Sequence, residues 1–146
     1  MSIDVKVEVV IERPRPHVAE LVFDPKSDTL WHTSITRSFP QTAGLLRQGS
    51  KVEHIGTFAG KAYSAEREVM CDEPEKSLDI SANEPFEMKI RYDLADAPEG
   101  TRVSVRVQSV GELLFQIPPA VLSKKVEETI SDDLKRLKKH LEQNGS

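Results

Sequence analysis

Ile3, Val5, Val7, Val9 and Ile11 alternate with Asp4, Lys6, Glu8 and Glu12 at the start of the chain. A period of two predicts a strand with one buried face. "RPRP" at 13–16 ends it, because proline cannot donate to a sheet. Pro16 suits a helix's first turn, and Val18, Leu21 and Val22 follow at helical spacing. Asp24-Pro25 breaks that helix, and a second short helical piece near Lys26 to His32 carries Leu30 and Trp31. The middle of the chain reads as antiparallel strands. "ITRSFP" is a short one, and "SKVEHIGTFAGKAYSAEREVMCDEP" is two strands turning near Ala59-Gly60-Lys61. "KSLDISA" follows. In "FEMKIRYDL" Phe86, Met88, Ile90, Tyr92 and Leu94 share one face. "APEG" marks a turn, and "TRVSVRVQSV" alternates Val103, Val105 and Val107 with Ser104, Arg106 and Gln108. Leu122, Val126, Ile130, Leu134, Leu137 and Leu141 form one apolar stripe on a closing helix. The basic "KRLKKH" suits that helix's C-terminus, and Pro118-Pro119 is expected to kink or restart the helix after the apolar "ELLFQI".

The order is strand, two short helices, several antiparallel strands, long terminal helix: an α+β fold in which one apolar stripe covers one apolar sheet face. A curved sheet around a single helix closes incompletely and leaves a cavity. The length of 146 residues suits one domain, 1–146, that needs no staple. The net charge of −4 argues against a nucleic-acid partner. The lone Cys71 excludes an intrachain disulfide and a Cys-rich metal site. No apolar run approaches the ~20 residues of a membrane span, and no signal-peptide core opens the chain. The expectation is a cytoplasmic protein with no stable membrane insertion, monomer or homodimer, with no cofactor and no metal.

Five stretches then carry a resemblance: "VEVVIERPRPHVAELVFDP", "LWHTSI", "EREVMCDEPEKSLDI", "EGTRVSVRV" and "LKRLKKHLE". In this order the chain resembles the START-like, polyketide cyclase/dehydrase and lipid-transport (SRPBCC) superfamily over nearly its whole length. The resemblance implies a helix-grip fold with six to seven strands around the C-terminal helix. It also implies carriers of lipids or hormones, aromatase/cyclases or co-chaperones. The glycine-rich loop of the plant pathogenesis-related branch is missing, as is a Rieske-type Cys/His ligand set.

Alternation predicts which side chains face the cavity. Val52, His54, Gly56 and Phe58 share one face, and Tyr63, Ala65, Arg67, Val69 and Cys71 another. A bulge or a one-residue slip would reverse them. The expected ligand-binding set is Trp31, His54, Phe58, Tyr63, Arg67, Phe86, Met88, Tyr92, Leu122 and Val126. Its partner would be a hydrophobic small molecule, lipid- or polyketide-like. The alternative is an enzyme of the cyclase/aromatase or dehydratase type, with His54, Tyr63 and Arg67 as candidate catalytic groups. The sequence supplies His54 with no orienting carboxylate. Arg67 is expected to pair with a carboxylate on a neighbouring strand, Asp79 for example, or to bind a ligand carboxylate or enolate. The acidic Glu66, Glu68, Asp72, Glu73 and Glu75 read as a solvated face. Cys71 reads as a small buried hydrophobe, His32 as exposed, and Trp31 as a packing anchor at the cavity mouth.

Overall fold

The structure, a computed structural model, describes residues 3–109 and 117–144. Seven strands form one antiparallel sheet: β1 (Ile3–Ile11), β2 (Ile35–Pro40), β3 (Lys51–Phe58), β4 (Lys61–Glu73), β5 (Ser77–Ala82), β6 (Met88–Ala97) and β7 (Gly100–Ser109). Their spatial order is β1-β7-β6-β5-β4-β3-β2, so the sheet is open, with β1 and β2 at its edges. The chain crosses from one edge to the other through α1 (Arg15–Val22), a 3₁₀ turn (Pro25–Ser27) and α2 (Asp28–Trp31). Asp24 caps that turn by accepting from the Lys26 N–H at 3.0 Å. The two short helices, the seven strands and α3 (Pro119–Asn144) are those the pattern predicts.

The β3–β4 hairpin turns on Ala59 and Gly60, both at positive φ (51° and 79°). Two consecutive positive φ values define the hairpin turn whose twist matches its strands, and glycine is at ease in it. Phe58 pairs with Lys61 across it, which sets the β3–β4 register.

The core is the inner sheet face against α3. All six stripe residues of α3 are buried, as are Met88, Ile90, Tyr92 and Leu94 on β6 and Val103, Val105 and Val107 on β7. Phe86 is also buried, though it precedes β6. The far end of α3 is tied to the end of β1. Lys138 donates to the Val10 carbonyl at 2.7 Å, and the Glu142 carboxylate accepts from the Glu12 N–H at 2.9 Å.

Two expectations are corrected, and a third is left untested. Cys71 is exposed, because the β4–β5 pairing shifts between Val69 and Cys71. That bulge reverses the phase of the strand end. The "KRLKKH" run lies short of the helix end, and the last turn of α3 carries no basic residue. Lys138 is held instead by Val10 and Glu142. The restart expected at Pro118-Pro119 concerns a segment that lies outside the described residues up to position 116. α3 itself begins at Pro119, where a missing N–H costs nothing.

Candidate functional site

Between the inner sheet face and α3 lies a cavity of about 80 Å³. Phe58, Phe86, Met88, Ile90, Val105 and Val107 line it from the sheet side, and Val126 and Ile130 from α3. Its polar lining is Trp31, His32, Ser34, Tyr63, Arg67, Tyr92 and Asp133. Of the residues expected at the site, Trp31, Phe58, Tyr63, Arg67, Phe86, Met88, Tyr92 and Val126 stand on this lining. His54 and Leu122 do not; both are buried beside it.

Trp31 is 1% exposed. Its ring lies on His32 with centroids 3.7 Å apart and meets Tyr92 edge-on at 6.3 Å. Its indole N–H is buried and has no acceptor among the described residues. Tyr63 donates its hydroxyl to the Ser34 carbonyl at 3.3 Å. Burial pushes the Tyr92 phenol well above its ordinary pKa, so it stays protonated. Gly56 allows the loop before β2 to come this close. A Cβ there would stand 1.8 Å from the Ser34 carbonyl oxygen.

Behind the lining runs a buried polar chain that alternation does not reveal. The Asp28 carboxylate stands 2.7 Å from His54 Nε2 and 3.8 Å from His32 Nε2, and it accepts from the Ser38 hydroxyl at 3.2 Å. His32 Nδ1 is 3.4 Å from the Asp133 carboxylate. Asp133 also accepts from the Thr33 N–H and hydroxyl, each at 2.7 Å. The chain thus joins α2, the start of β2, β3 and α3. An ionised carboxylate only accepts, so His54 carries its proton on Nε2 and donates to Asp28. Burial then pushes the His54 pKa down to about 4, against the opposing pull of Asp28. His54 Nδ1 is left buried without a partner among the described residues.

This corrects the expectation for His54: it does have an orienting carboxylate, Asp28, from another element. His32 is buried rather than exposed. Arg67 does not pair with Asp79, because Asp79 is taken by Arg91 at 2.8 Å. Asp28, His32 and Asp133 were not among the expected site residues. Asp133 was readable, since it lies three positions after Ile130 and four before Leu137, on the face of the apolar stripe. Asp28 had no such signal, because a helix of four residues sets no face from sequence alone.

Neither His54 nor His32 presents an unengaged ring nitrogen on the cavity lining. His54 is off the lining and its proton is held by Asp28. His32 is on the lining, but each of its ring nitrogens faces a carboxylate. Among the described residues no group of three or more His, Cys, Asp or Glu side chains is placed to hold a metal ion. No described helix is long and apolar enough to cross a membrane.

No protein-family model and no curated protein matches the sequence. Solved structures do match over the whole length. A START superfamily protein from Mycobacterium smegmatis superposes with a TM-score of 0.78 at 15% identity, over 97% of both chains. Ara h 8.0201 superposes with a TM-score of 0.73 at 12% identity, over 99% of this chain and 100% of that one. DynU16, from the dynemicin biosynthetic locus, superposes with a TM-score of 0.71 at 22% identity, over 95% of this chain and 47% of that one. The chain therefore shares the helix-grip fold of these structures.

Proposed function

We propose that the protein binds a hydrophobic or aromatic small molecule in the cavity between the sheet and α3. The observation that carries this reading is the composition of the lining: aliphatic and aromatic walls with a few polar groups among them. The START-like fold supports it, since the resemblance implies carriers of lipids and hormones.

The volume bears on the size of the ligand. Pockets for drug-sized ligands run to roughly 300–1,000 Å³, and this cavity is about 80 Å³. An apolar cavity of ~150 Å³ takes benzene. The cavity as folded is about half that size, so a one-ring or short-chain ligand enters only with rotamer changes, for which Met88 is placed, its unbranched side chain adapting readily. Larger polyketide- or lipid-like ligands would require α3 and the sheet to part. A single ring burying roughly 150–250 Å² gains at most about 4–6 kcal/mol. That corresponds to a Kd between about 1 mM and tens of micromolar, before association costs. The placements of His54 and His32 support binding over acid/base catalysis.

Calorimetric titration with toluene and indole tests the reading, with an Ile130→Phe variant that fills the cavity. Binding by the native chain and its loss in a variant that still melts cooperatively is the expected result. Equal binding by both would move the site elsewhere.

A further inference from the structure

Three arginines on or beside the sheet have carboxylates to hold. Arg91 takes Asp79 and Asp93, Arg106 forks onto Asp4, and Arg15 reaches Asp96. Arg67 differs. It lines the cavity and makes no ion pair among the described residues, and its Nε–H, like that of Arg15, is buried with no acceptor among them. Trp31 lines the same cavity, is 1% exposed, and also keeps a buried N–H with no acceptor among the described residues. Buried donors without partners are costly, and their presence at a cavity calls for an acceptor from outside the chain.

The other charge on the lining is already answered. Asp133 accepts from the Thr33 N–H and hydroxyl and faces His32 Nδ1. The cavity therefore offers, among the described residues, unmet donors and a guanidinium that forms no ion pair, beside apolar walls. A planar guanidinium fork matches a carboxylate in both charge and shape.

Resting on the binding reading above, we infer that the ligand is a small organic acid: an aromatic or short aliphatic carboxylate whose oxygens accept from Arg67 and the Trp31 N–H while its apolar body lies against β6, β7 and α3.

The test uses three probes of one size: toluene, 4-methylbenzamide and 4-methylbenzoate. Trp31 is the only tryptophan in the chain, so its fluorescence reports the cavity directly; calorimetry provides the affinities. The native protein should bind 4-methylbenzoate at least about tenfold more tightly than 4-methylbenzamide, as expected for hydrogen bonds to a charged group. Arg67→Met should abolish that preference and leave toluene binding intact, and Arg67→Lys should keep part of it. If the native protein prefers the amide, or Arg67→Met keeps the preference for the acid, the anion assignment is overturned while cavity binding stands. If none of the three probes binds, the cavity reading falls and takes this inference with it. Should Arg67→Met fail to fold, the native preference and the Arg67→Lys variant still decide.

Discussion

His54 is a buried imidazole that stays neutral because the cost of burying its charge outweighs the pull of Asp28. In the unfolded chain the same ring takes a proton near pH ~6.5. Because the folded pKa is depressed to about 4, protonation favours the unfolded state. The stability is fully present above the unfolded pKa and is lost as pH falls through that window, by a total on the order of 3 kcal/mol. Urea denaturation followed from neutral pH to about pH 4.5 should show this decline, and His54→Gln should flatten it. An unchanged slope in the variant would remove His54 from the account. Asp4, Glu8 and Glu142 have lowered pKa values through hydrogen bonds to Arg106, Ser104 and Lys138 respectively. Their contributions are lost as pH falls through and below the ordinary carboxylate range, so between about pH 6.5 and 5 the decline belongs to His54. Gly56 is a second residue on which local geometry turns. Gly56→Ala would drive a methyl into the Ser34 carbonyl, and the expected loss is at least about 2 kcal/mol in denaturation, with β2 displaced from β3.

α3 was the most legible element, and its stripe explains why. Leu122 to Leu141 repeat at steps that keep one side of a helix apolar, and all six are buried. Leu137→Ala, at 0% exposure, should cost about 2–5 kcal/mol. Val121→Ala, at 56% exposure on the same helix, should stay within about 0.5 kcal/mol. Equal losses at the two sites in a thermal melt would contradict the assigned face. The strands were legible for the same reason, since alternation with a period of two survives wherever pairing is regular. It failed at Cys71, where a bulge adds a residue that no local pattern announces. It also failed for the polar chain, because Asp28, His32, His54 and Asp133 meet only when α2, β3 and α3 pack. Asp133 couples two of these elements through Thr33. Asp133→Ala removes the acceptor of the Thr33 N–H and hydroxyl and the carboxylate facing buried His32 Nδ1, and should cost on the order of 1 kcal/mol or more. Hydrogen exchange should quicken at the Thr33 amide, with Asp133→Asn milder because it keeps an acceptor.

At the scale of the molecule, an open seven-stranded sheet with β1 and β2 at its edges curves around one helix. The polar chain joins the end of α2 to the middle of α3 at Asp133, and Lys138 and Glu142 tie the C-terminal part of α3 to the end of β1. On the N-terminal side of these attachments, at Val126, Ile130 and Asp133, the sheet and helix keep a small, largely apolar space whose lining carries donors unmet among the described residues. The central claim is that this space receives the ligand. Intermolecular nuclear Overhauser effects between toluene and the protein's methyl groups test it most directly. The account predicts contacts to Ile90, Val105, Val107, Val126 and Ile130, which line the cavity from both sides. Contacts confined to exposed side chains such as Leu45 or Val121, or no contacts at saturating toluene, would contradict it.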